Sequence, residues 1–531
     1  MGDKKIHIYD TTLRDGAQSA MINFSIEDKL LIAKKLDRLG VDYIEGGWPV
    51  KGVNAKDFEF FKRAGKLKLK KAKLAAFGST RRAKNTPKND PGLNSLLESG
   101  TKVITIFGKS WALHAEKVIK VSLEENLRMI RESVSYLKDR KKEVIFDAEH
   151  FFDGYRDNAE YALATLKAAE EAGADCVCLC DTNGGTLPAG MEEVTKKVRE
   201  EISASLGIHT HNDSELAVAN SLIAVNNGFN HVQGTLNGFG ERTGNANLVS
   251  IIASLSLKMG RVTIPKRSLK KLTEAAHYVY EIANVPPDEK QPFTGRDAFT
   301  HKGGVHANAV MKFPAAYEHI EPALVGNERT IPVTDQAGVS SLKFKAKELG
   351  FNLYKDEKRA REFIVKIKKM EQEGYEFEGA DASLVLFLKK QMERFTPFFD
   401  LKGLRVIDEE REGGLFSEAT IKIKVKNRFE HTAAEGNGPV NALDMALRKA
   451  LVKFYPGIKD MHLVDFKVRV IEGSQGTASK VRVLIESSDK KDVWNTMGVS
   501  ENIIEASWKA LTDSVEYKLL KDRGKAGKAG R

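Results

Sequence analysis

Three residues on one predicted turn, Arg14, Asp15 and Gly16, are the first sign of chemistry in this sequence. They follow a short alternating segment, Lys5–Tyr9, whose pattern is typical of a β-strand. A guanidinium in this position can stabilise an oxyanion, a carboxylate can hold a metal ion, and a glycine lets the backbone approach a ligand. Taken alone, the same three residues are more typical of a surface turn with a charge pair.

A pair of histidines far along the chain changes that interpretation. His209 and His211 flank one residue at the end of another predicted strand, so both imidazoles point to the same side. Together with Asp15 and Asn245 they form a candidate site for a divalent metal ion. Mixed nitrogen and oxygen ligands do not identify the metal, so Mg, Mn, Zn and Co all stay open.

The elements that must position these residues alternate between strand-like and amphipathic helical segments over the first 260 residues. This alternation predicts an α/β fold, a (β/α)8 TIM barrel; a doubly wound open sheet is the alternative, but it would not normally need eight repeats. The predicted strands are Lys5–Tyr9, Asp42–Glu45, Ala72–Phe77, Val103–Phe107, Val144–Phe146, Cys176–Cys180, Leu206–Thr210 and His231–Thr235.

The barrel interpretation explains why residues more than 190 positions apart can act together. In such a barrel the active site forms at the C-terminal ends of the strands, and the eighth strand closes against the first. The loops that carry Asp15, His209, His211 and Asn245 are therefore expected to be neighbours.

Charge and composition limit the classes of partner. The net charge is +11, but the basic segments lack interleaved aromatic residues, which argues against a nucleic-acid partner. No apolar run is long enough to span a membrane, and the early first strand leaves no room for a signal peptide, so we expect a cytoplasmic protein. The three cysteines, Cys176, Cys178 and Cys180, lie in an apolar strand and are predicted to pack in the core without a disulfide.

The region beyond the barrel is predicted to contain two further parts. A glycine-rich loop at Phe299–Ala307 and a charged helical connector at Lys355–Gln391 precede two similar strand-then-helix units, which indicate a duplicated α+β module. The predicted domains are a barrel at 1–285, linker subdomains at 286–395, a C-terminal α+β regulatory domain at 396–520, and a disordered basic tail at 521–531.

Three segments resemble the signatures of a known enzyme family. Asp10–Gln18, His209–Asp213 and Asn237–Asn247 are similar to those of the acetyl-CoA-dependent 2-oxoacid synthases, which include 2-isopropylmalate, homocitrate and citramalate synthases on a metal-dependent barrel. Glu45–Pro49 and Glu149–Gly154, together with the helical segment at 500–511, are most similar to the citramalate synthase branch.

The resemblance implies a Claisen condensation of acetyl-CoA, the co-substrate, with pyruvate, followed by hydrolysis to (R)-citramalate and CoA in isoleucine biosynthesis. The alternative is a 2-isopropylmalate synthase, which acts on 2-oxoisovalerate in leucine biosynthesis. The resemblance implies that Arg14 stabilises the oxyanion and that Thr182 donates a hydrogen bond to the pyruvate carboxylate. It implies that His306, helped by Glu149, deprotonates the acetyl group, with His301 as the reserve base. The resemblance also implies a catalytic role for Tyr317, and Gly238, Gly240 and Gly244 are expected to contact the cofactor.

The same resemblance implies a homodimer in which the linker segment lies over the partner's active site, with an amino-acid effector at the C-terminal domain. Trp48 and Phe151 are candidates for the wall of the 2-oxoacid pocket. A lyase of the same superfamily would carry a catalytic cysteine in its glycine-rich loop, and 238–244 has none. A non-catalytic amino-acid sensor would be expected to have lost a metal ligand, and none is lost.

Overall fold

The computed structural model describes residues 5–529, except 21, 51, 333–337, 354–355, 378, 393–394, 413 and 472–478. The chain divides into two compact units. The first comprises Met1–Phe299 and His319–Arg329, and the second comprises Thr300–Glu318 and Thr330–Arg531. The predicted domain limits remain a prediction, but 286–299 and 319–329 pack with the barrel, where Phe293 and Val325 join its core. Across the described residues, no helix combines the length and apolar character that a membrane span requires.

Eight parallel strands close a barrel in the described part of the first unit, in sequence order. This confirms the predicted fold class. The first and last strands pair in register, with Tyr9 opposite Gln233 and Asp10 opposite Gly234, so the loops after them are neighbours. The strands are β1 (His7–Asp10), β2 (Tyr43–Gly47), β3 (Lys73–Ser79), β4 (Val103–Lys109), β5 (Glu143–Glu149), β6 (Cys176–Asp181), β7 (Ser205–Thr210) and β8 (His231–Gly234).

Helices surround the barrel, and their ends follow local sequence signals. The first begins after Ser25, whose side chain and that of Asp28 form a reciprocal capping box, and it ends at Gly40 in the left-handed conformation. The helices are α1 (Ile26–Leu39), α2 (Ala55–Ala64), α3 (Pro91–Glu98), α4 (Leu123–Lys138), α5 (Phe151–Asp157), α6 (Ala159–Glu171), α7 (Pro188–Glu201), α8 (Ala217–Asn226), α9 (Leu248–Leu257), α10 (Lys266–Leu269) and α11 (Leu272–Ile282).

The barrel interior is apolar at its N-terminal end and polar above it. One buried cluster inside the barrel contains Tyr9, Tyr43 and Cys176. All three cysteines are free and buried, as the sequence predicts. Toward the C-terminal strand ends, Glu45, Asp147 and other polar side chains replace this apolar packing.

The second unit begins with helices. The prediction of a glycine-rich loop at Phe299–Ala307 is wrong for its second half. A helix begins at Gly304 and places His306 in its first turn. The predicted connector is two helices separated by a turn, and Lys355 lies outside the described residues. The helices are α12 (Gly304–Lys312), α13 (Val339–Glu348), α14 (Glu357–Gln372) and α15 (Asp381–Met392).

The C-terminal part of this unit is a duplicated α+β arrangement. Two three-stranded antiparallel sheets, each followed by a helix, share one apolar core in the described residues. The elements are β9 (Asp400–Arg411), β10 (Gly414–Val425), β11 (Arg428–Gly436), α16 (Pro439–Leu451), β12 (His462–Val470), β13 (Val481–Ser488), β14 (Val493–Ser500) and α17 (Ile503–Ala529).

The basic tail begins within the last helix, and its predicted disorder stays a prediction. Helix α17 continues through it to Ala529, and residues 530–531 lie outside the described part. At the start of the tail, Lys521 Nζ lies 2.9 Å from Asp489 Oδ2 and 2.7 Å from Asp492 Oδ2, and it also lies over the Trp494 ring. These contacts order a residue whose composition alone predicts a solvated tail.

Candidate active site

Asp15, His209 and His211 converge at the C-terminal end of the barrel. Asp15 lies in the turn after β1, His209 is on β7 and His211 directly follows it, and one ligand atom from each lies within 4.8 Å of the others. The two Nε2 atoms are 3.7 Å and 3.8 Å from Asp15 Oδ2. Asn245 pairs with His211 through an isolated backbone bridge, which places the amide beside them.

The donor atoms of this cluster fit a divalent cation. Asp15 Oδ1 and Asn245 Oδ1 are buried without a hydrogen-bond partner in the described structure, and the Nε2–Oδ2 distances exceed those of hydrogen bonds. Burial lowers the pKa of His209 to about 3 and also lowers that of His211, which favours the neutral form of both imidazoles. Burial acts to raise the pKa of Asp15, but Arg14 and the two imidazoles hold it well below its usual range. The neutral imidazole and the ionised carboxylate are the forms in which these side chains can bind a metal ion.

Arg14 is held rigidly at the edge of this cluster. Its Nη1 donates to Asp15 Oδ2 at 3.0 Å, its Nε donates to Glu45 Oε1 at 2.5 Å, and its guanidinium carbon lies 3.8 Å from the centre of the Phe77 ring. Glu45 is completely buried and also accepts from Tyr9 OH at 2.7 Å. Sequence reasoning did not assign Glu45 to the site; the signals were its place at the end of a strand and its membership of the Glu45–Pro49 segment.

A cavity of about 250 Å³ opens above these residues. One wall is aromatic: the Trp48 ring meets Phe77 and Phe107 edge-on at centroid distances of 5.9 Å and 5.5 Å, while those two rings stack on each other. Trp48 therefore lines the cavity as the sequence suggests. Phe151 does not, since it is fully buried in the barrel core. The lining residues are Arg14, Asp15, Gln18, Trp48, Phe77, Phe107, Asp147, Glu149, Cys180, Thr182, His209, His211, Glu241 and Arg242.

Glu149 and Thr182 face this cavity from neighbouring strands. The Glu149 carboxylate accepts from Lys109 Nζ, and Thr182 Oγ1 accepts from the backbone N–H of His150 at 2.9 Å. Arg242, which the sequence did not single out, connects the loops: it donates to the carbonyl of Thr182 at 2.8 Å and to both carboxylate oxygens of Asp213 at 2.7 Å and 2.8 Å.

The fold of the loop after β8 requires glycine at three positions. Gly238 and Gly244 have φ of +74° and +98°, and a Cβ at Gly244 would collide with the carbonyl oxygen of Gly238. A Cβ at Gly240 would collide with the Asn245 amide. These glycines therefore let the loop fold tightly around Asn245; their contact with a cofactor stays a prediction.

His306 and Tyr317 belong to the second unit, whereas the metal-ligand candidates belong to the first. Their rings lie 4.3 Å apart, and both side chains are exposed. His301 is engaged differently, with Nε2 at 3.2 Å from Glu318 Oε1. The structure thus brings His306 and Tyr317 together within their own unit.

Comparison with known proteins identifies the family. Residues 5–279 match the HMGL-like family, residues 293–375 the homocitrate synthase post-HMGL domain-like family, and residues 378–519 the LeuA allosteric (dimerisation) domain. The chain is 55% identical to an (R)-citramalate synthase of Geobacter sulfurreducens, over 97% of this chain and 98% of the relative. It is 56% identical to an (R)-citramalate synthase of Aquifex aeolicus, over 98% of each chain.

The chain belongs to the citramalate synthase family. This confirms the resemblance found in the sequence. A 2-isopropylmalate synthase of Methanocaldococcus jannaschii is more distant from this member of the citramalate synthase family, at 31% identity over 97% of this chain and 95% of the relative.

Proposed function

We propose that the chain condenses acetyl-CoA with pyruvate and hydrolyses the resulting thioester to (R)-citramalate and CoA. One observation carries this proposal. Arg14 and the Asp15, His209 and His211 cluster face one cavity, in a chain that is 55% identical, over nearly its whole length, to an (R)-citramalate synthase. The family membership makes the chain an acyltransferase that converts the acyl group into an alkyl group.

Asp15, His209, His211 and Asn245 are the proposed ligands of a divalent cation. When bound, such a cation supplies Lewis-acid polarisation of the keto oxygen of pyruvate and a fixed anchor for its carboxylate. The neutral state of both imidazoles supports this assignment, since the lone pair of each Nε2 is available for coordination. The identity of the metal is left open by these ligands.

Arg14 is the proposed partner of the oxygen that becomes negatively charged when the carbon–carbon bond forms. Glu45, Asp15 and the Phe77 ring fix its guanidinium, so no reorganisation is required as the charge develops. A preorganised donor of this kind contributes about 3 kcal/mol to transition-state stabilisation. Thr182, at the end of β6, can donate its hydroxyl proton to the pyruvate carboxylate.

The acetyl group must lose a methyl proton before it attacks the keto carbon. His306 is the proposed general base, with Tyr317 beside it, and Glu149 assists from the cavity wall. The new bond joins the acetyl methyl carbon to the keto carbon, and water then cleaves the thioester to release CoA. Gly238, Gly240 and Gly244 are the proposed backbone contacts of acetyl-CoA.

The second unit is the proposed site of assembly and control. Residues 378–519 match a domain described as allosteric and dimerising, which supports a homodimer under feedback control. A branched-chain amino acid is the proposed effector, and the segment around His306 is proposed to act over the barrel of the partner subunit.

A thiol-release assay tests the proposed reaction. CoA release from acetyl-CoA is measured with pyruvate, 2-oxobutyrate and 2-oxoisovalerate, each with and without added isoleucine or leucine. The protein contributes little background because its three cysteines are buried. We expect the highest kcat/KM with pyruvate; a preference for 2-oxoisovalerate would instead indicate a 2-isopropylmalate synthase. Asp15→Ala should release no CoA with any of them.

A further inference from the structure

Gln233 lies directly beside His209 inside the barrel. Strands β7 and β8 pair with Gly207 opposite His231 and Ile208 opposite Val232, so the next register position places His209 next to Gln233. Both side chains are buried. No part of the proposed reaction uses Gln233, and no sequence motif singles it out.

His209 and Gln233 each carry an atom that lacks a partner. The Nε2 of His209 faces Asp15, so its Nδ1 is turned away from the proposed metal ligands. That Nδ1 and the Oε1 of Gln233 are both buried without a hydrogen-bond partner in the described structure. Leaving a buried donor or acceptor unpaired is unfavourable, and the Gln233 carbonyl oxygen is the neighbouring acceptor for an N–H on Nδ1.

Asp147 determines which end of the Gln233 amide faces His209. The Nε2 of Gln233 donates to Asp147 Oδ1 at 2.9 Å, in the buried interior between β5 and β8. Because the NH₂ group is engaged there, the carbonyl oxygen must point the other way. The opposite orientation would direct an amide donor at Nδ1, and the proton of the imidazole would then have to sit on Nε2.

From this geometry we infer that Gln233 is a positioning residue for His209, and that Asp147 fixes the orientation of Gln233. Gln233 Oε1 accepts a hydrogen bond from His209 Nδ1–H, which keeps the lone pair on Nε2 and directs it toward Asp15 and the cation. A partner on the outer nitrogen is the usual means of fixing the tautomer of a metal-binding histidine. This inference rests on the proposed metal site, and it adds two residues that position one of the proposed ligands.

Cobalt binding to metal-free protein tests the inference without relying on activity. The probe is Co²⁺ alone, with its affinity measured by calorimetry and its ligand field by visible absorption. Gln233→Met keeps the length of the side chain but removes the amide oxygen, and we expect it to weaken Co²⁺ binding by about 10- to 100-fold. Gln233→Glu restores an oxygen acceptor, and we expect it to recover most of the affinity and the parental absorption spectrum.

Changes at Asp147 provide a second route that does not alter Gln233. Asp147→Asn keeps an oxygen that can accept from Gln233 and should bind Co²⁺ as the parent does, whereas Asp147→Leu frees the amide to flip and should bind it more weakly. Cys176→Ala is the matched control: it removes a buried side chain from the apolar end of the barrel and should leave Co²⁺ affinity unchanged. The Asp147 pair decides the question if Gln233→Met does not fold.

Two results overturn the inference. One is parental Co²⁺ affinity in folded Gln233→Met or Asp147→Leu; the other is equal loss of affinity in Gln233→Met and Gln233→Glu, which would indicate a packing role alone. Either result would leave the proposed function intact. If the unchanged protein takes up no Co²⁺ at all, the metal site in the proposed function fails as well.

Discussion

Arg14 Nε and Glu45 Oε1 lie 2.5 Å apart at the bottom of the cavity, where Glu45 is completely buried. A second carboxylate, partly exposed, lies at the opposite end of the barrel: Glu143 accepts from Tyr43 OH at 2.6 Å, as Glu45 accepts from Tyr9 OH at 2.7 Å. In a TIM barrel the C-terminal end carries the chemistry and the N-terminal end contributes stability. Glu143 therefore provides a control that makes a similar tyrosine hydrogen bond away from the cavity.

Removing the Glu45 charge should impair catalysis through Arg14. We expect Glu45→Gln to lower kcat with little change in the KM for pyruvate, because Arg14 loses the partner that orients it. Arg14→Gln should lower kcat by about 100-fold, the usual effect of losing one oxyanion donor. Steady-state kinetics measures both. Glu143→Gln is the control and should lower thermal stability more than kcat; equal effects on kcat at both positions would contradict a role for Glu45 at the site.

Metal uptake should depend on Asp15. We expect the parent protein to bind divalent metal after purification in its presence, and Asp15→Ala to bind none, because the site loses its only proposed carboxylate ligand. Elemental analysis of the dialysed proteins measures this. The control is Asp139→Ala, which changes an exposed aspartate at the end of α4. Equal metal content in all three proteins would place the metal elsewhere.

Metal affinity should fall less steeply between pH 7.5 and 5.5 than two ordinary imidazoles would allow. Burial lowers the pKa of His209 to about 3, so protons do not compete for that imidazole in this range, and burial also lowers the pKa of His211. Two imidazoles with an ordinary pKa near 6.5 would instead reduce the affinity by about 100-fold at pH 5.5. Titration with Co²⁺ at several pH values distinguishes the two cases, and a steep loss of affinity would show that the histidines are not buried as neutral groups.

The aromatic wall should limit the size of the 2-oxoacid. Trp48→Leu removes a ring that packs on Phe77 and Phe107, and we expect kcat/KM to shift toward 2-oxoisovalerate relative to pyruvate. Each methylene accommodated in such a pocket changes the ratio by about 10- to 200-fold. Trp111→Leu is the control because Trp111 does not line the cavity. An unchanged ratio in Trp48→Leu would assign size selection to other lining residues.

The first residues of the basic tail should contribute to stability. Truncation after Leu520 removes Lys521 and its pairs with Asp489 and Asp492, and we expect a loss of ~1 kcal/mol in the free energy of unfolding. Truncation after Arg523 keeps these contacts and should leave stability unchanged. Denaturant unfolding of the two truncated proteins measures the difference; identical midpoints would favour a tail that is disordered from its start.

The fold and the proposed metal ligands could be inferred from local patterns. Strands and helices alternate with clear periodicity, the capping signals of α1 are in the sequence, and a parallel barrel necessarily brings together the ends of β1, β7 and β8. His306 was placed wrongly in a loop, since Gly303 and Gly304 are typical of turns, yet a helix begins at Gly304. Sequence patterns alone miss β9 and β11 because these strands bury almost no side chains, and they miss β14 because polar and glycine residues interrupt its mostly buried segment.

The sequence by itself determined the family, the barrel and the residues that carry the proposed chemistry, since these depend on segment patterns and residue types. Only the tertiary structure decided which residues support them. Glu45 accepts a hydrogen bond from Arg14, Gln233 lies between Asp147 and His209, and Arg242 connects three loops. These partners lie on different strands and loops, and which side chains meet inside a closed barrel depends on the register between strands. That register is set by packing of the whole barrel, which no local segment encodes.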